Sequence, residues 1–253
     1  MGSKDMTTGV CGFQCCRNTF SMGEVKKRMV TVDFVSKISK LGQEVCTIVG
    51  EQAASEDTRA IALSMRYDFK VANTVFALPK VFQGVTKAAY EDAEATSNAL
   101  GAILDGPENT NSWLKLGRHS TGFVAKVSVI AGFGVARWIT FIEKHWGEFG
   151  KDIHAIGQSF WSLMFVSHSF GTFSGGCGIM EEMSNAARDD DQRMDEGQRT
   201  RFHNLVLGFF EDLLDLFSDL MKVFAFVAPP VVRYSLGLTN ALIGTVKSWN
   251  KVT

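Results

Sequence analysis

Between Asp68 and Asp92 the residues Val71, Val75, Leu78, Phe82, Val85 and Ala89 recur at alternating steps of four and three. That spacing is the period of an α-helix, so it sets them on one apolar stripe. Asn73, Lys80 and Lys87 stack on the opposite side. An apolar stripe opposite lysines suits a helix lying in a lipid interface. Val71, Val75, Leu78, Phe82 and Val85 would then sink among acyl chains while Lys70, Lys80 and Lys87 meet lipid headgroups. The same pattern suits a helix that covers a core, and the stretch alone leaves both readings open. Pro79 falls mid-stripe, where it removes a backbone donor at a cost of about 3 kcal/mol, so a kink is expected there.

The helical period is not confined to this stretch. Glu24 to Val49 carries Val30, Phe34, Ile38, Leu41, Val45 and Ile48 on one stripe. Lysines 26, 27, 37 and 40 and Arg28 accompany it, and at a helix N-terminus such cations oppose the dipole, which leaves anionic lipid or chance as their reason. A second helix is expected to begin at Ser55 or Asp57 and to run through the opening stretch into Ala88 to Leu104, where Asp105, Gly106 and Pro107 stop it. Further helical blocks follow at Ser112 to Phe149, Ile153 to Met180, Arg201 to Val227 and Val231 to Trp249, and no strand-like alternation flanked by turns interrupts them. The expected fold class is all-α, a membrane-associated helical bundle with long amphipathic helices. Its expected organisation is a flexible N-terminus over 1–23, a helical region over 24–180, a polar loop over 181–200 and a C-terminal helical pair over 201–253.

Two blocks bear on the membrane. Val127 to Ala136 is uncharged between Lys126 and Arg137, which is shorter than the about 20 apolar residues of a span. It reads either as a buried helix or as a span with snorkelling ends. Ile153 to Met180 has no Lys, Arg, Asp or Glu and is long enough, yet His154, Gln158 and His168 make it polar for a membrane helix. Gly171, Gly175, Gly176 and Gly178 predict that it frays before a loop. In the closing block Gly237, Ala241, Gly244 and Ser248 fall on one line, a spacing that permits close backbone approach and predicts self-association through Gly237, Ala241 and Gly244.

A formal net charge of -1 gives the chain as a whole no attraction to nucleic acid. Its 20 Phe and 24 Gly beside 4 Pro, with a mean hydropathy of +0.04, place it between soluble and membrane classes. Five cysteines make an odd count that fits a reducing compartment. Cys15 and Cys16, next to Cys11, are candidates for acylation before a basic amphipathic segment.

A catalytic constellation is not expected. VSVIAGFGVAR spaces Gly132 and Gly134 like a dinucleotide turn, but Arg137 stands where the third glycine would be. Of the histidines only His145 has a carboxylate one turn away, Glu148, with no nucleophile beside it. The acidic run DDDQRMDEG lacks the glycine that a calcium loop needs at its sixth position. The expectation is a protein that is not an enzyme and uses no cofactor or metal.

The order of parts resembles the peroxisomal biogenesis factor 11 family. The segment around Asp33, Lys37 and Leu41 resembles that family's opening helix. ALSMRYDFKVANTVFALPKVFQGVTKAA is similar to its amphipathic helix, with Phe76 and Lys80 at the aromatic and basic positions. RHSTGFVAKVSVIAGFGVARWITFIEKHW, with Trp138, resembles its first membrane-associated segment, and HNLVLGFFEDLLDLFSDLMKV with SLGLTNALIGTVKSW resembles its closing pair. The family has more arginine and a glycine where this chain has Val75, Ala77 and Pro79, and an acidic residue that is missing around Phe133 and Gly134. The resemblance implies a homo-oligomeric peroxisomal membrane protein that inserts amphipathic helices into an anionic bilayer, elongates the organelle and meets a dynamin-type fission machinery. Two other readings stand beside it: a membrane channel or transport module whose His154, Gln158, His168 and Arg137 line a solute path, and a soluble helical interaction domain.

Overall fold

The computed structural model describes residues 22–106, 110–133, 153–187 and 196–252, and every regular element among them is helical. In chain order these are α1 (Met22–Gln52), α2 (Glu56–Pro79), a π-helical segment (Lys80–Val85), α3 (Thr86–Asp105), α4 (Thr110–Ala131), α5 (Ile153–Ala186), α6 (Glu196–Val223) and α7 (Pro230–Val252). Arg137, Trp138, His145, Glu148, residues 188–195 with most of the acidic run, and the cysteines at 11, 15 and 16 lie outside the described residues.

Local chemistry sets the boundaries. Ser55 caps α2, its hydroxyl accepting from the Thr58 amide at 3.4 Å, and Glu56 and Asp57 in the first turn complement the helix dipole. From there the helix continues through the π segment and α3 as one rod, as the sequence predicts. Pro79 does not end it. The missing donor is absorbed by a wider turn at Lys80–Val85, after which the Thr86 hydroxyl donates to the Val81 carbonyl at 3.2 Å. Gly106 then takes an extended conformation and stops the rod. At the end of α6 the Phe226 amide donates back to the Met221 carbonyl at 2.9 Å, and Ala225 occupies the left-handed region at φ 50. That is the geometry of a Schellman turn with alanine in the place glycine favours. Pro230 opens α7, where a missing N–H costs nothing.

The helices close a ring. The rod lays α2 against α1 and α3 against α4; α5 packs between α4 and α6, and α7 between α6 and α1. Two boundaries differ from the sequence reading. The glycines of α5 do not fray it, because each falls where a neighbouring helix comes close: a Cβ at Gly175 would meet the Phe209 backbone at 3.4 Å, and one at Gly178 would meet Arg118 at 3.3 Å. The stretch expected as a polar loop is partly helical too. α5 runs on to Ala186, and Glu181 is buried rather than solvated because Arg118 binds it.

The inside of the ring is rich in polar groups, and its outside carries large apolar side chains among charged ones. Asp33, Asp92, Glu181, Glu211, Asp219, Asn240 and Ser248 are buried, while Phe82, Leu104, Phe173, Phe217, Phe224 and Val227 are exposed. One apolar cluster lies inside, where Phe160 and Met164 pack with Val129, Phe133, Ile156, Trp161 and Leu163. Charged side chains are seldom buried unless paired, so the ionic interior sets this fold apart, although Glu56, Asp57, Lys70, Lys87 and Glu91 remain exposed outside.

Candidate functional site

The interior charges come from helical spacing on three elements. Asp33, Lys37 and Lys40 share a face of α1; Glu211, Asp212, Asp215, Asp219 and Lys222 share a face of α6; Lys247 and Ser248 project from α7. Glu211 binds Lys37 through one oxygen and Lys247 through the other, the latter at 3.0 Å. Asp33 binds Lys80 of the π segment and accepts from the Ser248 hydroxyl at 2.9 Å. Lys40 meets Asp215 at 3.1 Å, and His168 of α5 meets Asp219 at 2.7 Å, with Lys222 at 3.4 Å from the same carboxylate. A second group joins α3, α4 and α5: Asp92 holds His119 at 2.9 Å and also Lys126, while Arg118 holds Glu181 at 2.8 Å.

These charges fit because glycines make room for them. A Cβ at Gly244 would come within 3.0 Å of a Glu211 oxygen, one at Gly122 within 2.6 Å of Asp92, one at Gly208 within 3.0 Å of Lys247 Nζ and one at Gly237 within 2.5 Å of Glu44. Each of those glycines is a notch in one helix that receives a charged head from another. The high glycine content is spent here on polar packing between helices.

Burial and pairing compete at each group. Burial alone would raise the Glu211 carboxyl, but Lys37 and Lys247 overcome it and hold it well below the usual range. Burial opposes the Lys37 ammonium, yet Glu211, Asp33 and Asp215 raise its pKa. For Lys80 burial and the nearby Lys37 win over Asp33, and its pKa is lowered. Burial works against a charged His168, but the hydrogen bond to Asp219 and the field of Asp215 and Asp212 raise it. Asp212 is the opposite case: burial, only partly offset by His168 and Lys247, pushes its carboxyl up to about 6.

Two of the cavities bordered by described residues lie within the ring. One, of about 580 Å³, is lined from α3 to α7 by residues that include Asp92, His119, Ser174, Asn204 and Asp212. The other, of about 400 Å³, is lined by Lys37, Lys80, His168, Glu211 and Asp215 among others. Asp212, Lys247, Val85 and Val129 border both.

The residues expected to serve the membrane are divided by this arrangement. Val75 and Phe82 face outward, at 46% and 55% exposure, whereas Val71 and Val85 are half-buried and Val85 lines both cavities. The Leu78 side chain lies outside what is described. Lys70 and Lys87 are exposed, and Lys80 turns inward to Asp33. The small-residue line of α7 is occupied within the chain: Ala241 is fully buried, Gly237 faces Glu44 of α1, and Gly244 faces Glu211 and Lys37. Of the suggested solute-path residues, His168 lines a cavity and Gln158 is exposed with its amide 3.5 Å from the Val223 carbonyl. The His154 side chain and Arg137 lie outside the described residues.

Sequence reasoning missed Asp92, Glu211, Asp212, Asp215 and Asp219. The signal was present in EDLLDLFSDL, where acidic residues recur at helical spacing inside an apolar helix. No family model, curated protein or solved structure matches this chain. Cys46 and Cys177 are free and buried, and burial pushes the Cys177 thiol up, which works against its thiolate form.

Proposed function

We propose that the chain acts at a lipid bilayer, inserting the apolar outer face of its helical ring into one leaflet and bending it. The resemblance noted in the sequence supports a peroxisomal setting, with elongation of the organelle before fission as the outcome. The observation that carries the membrane reading is the number of large apolar side chains left on the outer face. Phe82, Phe173, Phe217, Phe224 and Val227 are exposed, while a network of ionic groups is buried among the helices. Exposed aromatic side chains in this number suit a surface that meets something apolar. No described helix is long and apolar enough to cross a membrane. Shallow insertion needs no crossing: a wedge placed in one leaflet expands it relative to the other, and curvature follows. Self-association of rings would concentrate such wedges, and a dynamin-type GTPase would then act on the narrowed membrane.

The test uses the full-length chain and anionic vesicles. Phe82→Glu should lower vesicle partitioning at least about tenfold, because burying a phenylalanine in an apolar medium is worth roughly 1.5–3 kcal/mol. Tubulation should be lost with it. Thermal stability in detergent should stay unchanged, since the Phe82 ring is exposed in the folded chain. A helix that merely covered a soluble core would give the reverse pattern, and that outcome would sink the membrane reading.

A further inference from the structure

The connection of α6 to α7 has no polar side chain. From Val223 to Val232 the chain reads VFAFVAPPVV, and Phe224, Phe226, Val227, Val231 and Val232 are all exposed, Val227 at 89%. Exposed turns ordinarily carry Gly, Asn, Asp or Ser, residues that suit both the bend and water. The α1–α2 turn of this chain follows that rule, with Gln52, Ser55, Glu56 and Asp57 exposed. The α6–α7 turn breaks it over ten residues in succession.

Its backbone is arranged as an apolar surrounding requires. The Phe224 amide donates to the Leu220 carbonyl at 3.1 Å, the Phe226 amide to Met221 at 2.9 Å and the Val232 amide to Pro229 at 3.0 Å, while Pro229 and Pro230 have no N–H to satisfy. The Val223 carbonyl accepts from Gln158 Nε2 of α5 at 3.5 Å. Lipid offers no hydrogen bonds, so a segment that enters it must satisfy its backbone from within the protein. The turn is also held outward at a conformational cost, because Ala225 takes φ 50, where a Cβ is unfavourable. At such a helix end the next residue commonly folds an apolar side chain back onto the last turn. Phe226 holds that place and stays exposed. The Phe224 ring stands edge to face with Phe165 of α5, centroids 6.1 Å apart, which steadies the base of the turn.

Cations bracket the apolar run. Lys222 precedes it, paired with Asp219 at 3.4 Å and lying over the Trp161 ring at 3.9 Å, and Arg233 follows it, exposed, on α7. Next to Arg233 the Tyr234 hydroxyl donates to Glu51 of α1, so polar surface resumes there. An apolar tip above a rim of cations and an aromatic ring has the order of a lipid leaflet, acyl chains first and phosphates next. A protein partner would bring donors and acceptors of its own and leave no reason for the turn to exclude every polar side chain. We propose that the α6–α7 turn is a membrane anchor that enters the acyl region of one leaflet, with Arg233 at the level of the lipid phosphates. This rests on the reading that the chain acts at a bilayer, but not on insertion of the face that carries Phe82. Entry by about 5–10 Å takes Phe226 and Val227 below the headgroups and leaves Tyr234 and Glu51 in the polar layer.

Flotation of the purified full-length chain with vesicles of phosphatidylcholine and phosphatidylserine tests it. Phe226→Asp with Val227→Asp should lower partitioning at least about tenfold, since both side chains lose the acyl region. Helix content by circular dichroism should stay as in the parent, because both are exposed in the folded chain. Val227→Trp should raise partitioning about threefold, a gain that a folding defect cannot imitate. If the paired aspartates bind vesicles as the parent does, or Val227→Trp gives no gain, the anchor is overturned while the membrane reading stands. If the parent itself does not float, both fall. Full binding by Phe82→Glu beside loss in the turn variant would leave the anchor standing and remove the Phe82 face from the membrane. Should the aspartates break a dimer in detergent and leave flotation unchanged, a second copy covers the turn and the anchor is overturned.

Discussion

Where α5 meets α4, Phe160 and Met164 are buried among Val129, Phe133, Ile156, Trp161 and Leu163; where α7 closes onto α1 and α6, the buried groups are Asp33, Glu211, Ala241 and Ser248. At this end the α4–α5 contact is held by apolar area, with the Phe133 and Phe160 rings edge to face at 5.4 Å, and the Arg118–Glu181 pair lies towards its other end. Apolar contact is non-directional, and a lost methylene costs only its own area and cavity. The α7 seam is held by matched charges. Each charge there is desolvated, so its favourable pairing is offset by the burial of its partner, and the pair contributes register more than net stability. The two regions should therefore fail in different ways: the apolar one gradually and regardless of pH, the ionic one abruptly when a single partner goes.

The largest expected effect is at Glu211, which serves two lysines at once. Glu211→Ala leaves Lys37 and Lys247 buried without a counter-charge and should cost about 3–5 kcal/mol. Circular dichroism melts in detergent would show it, and a loss below about 1 kcal/mol would mean that the seam is not held by charge. Met164→Ala at the apolar end should cost less, near the lower end of about 2–5 kcal/mol. Its loss should be the same in low and high salt. A Met164→Ala loss that varied with salt or pH would erase the distinction between the regions.

Asp212 works against folding at neutral pH, unlike Glu211 and Asp215 on the same helix. Its ordinary value is 3.8 and burial pushes it up to about 6, so between those values the folded chain binds more protons than the unfolded chain. Stability then falls as pH rises through that window and levels off above it. Asp212→Asn removes the penalty. The variant should gain on the order of 2 kcal/mol over the parent at a pH of about 8 and nothing at a pH of about 3.5. A gain that was equal at both ends would show that the carboxyl is not buried in its ionised form.

What the sequence disclosed and what it hid follow the same division. Helix periods, the Ser55 cap, the disturbance of the helix at Pro79 and the stop at Gly106 were legible because each depends on residues within a turn or two of one another. The partners of Lys37 and Lys40 were not, because Glu211 and Asp215 lie 174 and 175 residues away. A lysine on a helix face reads as solvated or lipid-facing until the opposing helix is known. The glycines of α5 misled for a related reason: fraying is a local inference, whereas their use here, as notches for Phe209 and Asp212, is tertiary. The candidate site was hidden most completely, since the ion pairs that build it join helices far apart in the chain.

The smallest effect separates lysines within one stretch. Lys70 and Lys87 are exposed, and the contact of Lys87 with Glu91 at 3.8 Å is a surface pair that water and salt leave nearly without value. If the outer face meets anionic lipid, each can contribute about 1 kcal/mol near the surface, and added salt should weaken the contribution. Lys80, only two turns before Lys87, instead points at Asp33 and belongs to the seam. Vesicle flotation of the full-length chain should then show that Lys70→Ala with Lys87→Ala lowers partitioning by up to roughly thirtyfold at low salt, and by less as salt is added. Lys80→Ala should leave partitioning of the folded protein unchanged and register only in the thermal melt. Equal loss of lipid binding from all three would mean that Lys80 leaves Asp33 at the membrane, and that the seam of α1 with α7 opens when the outer face inserts.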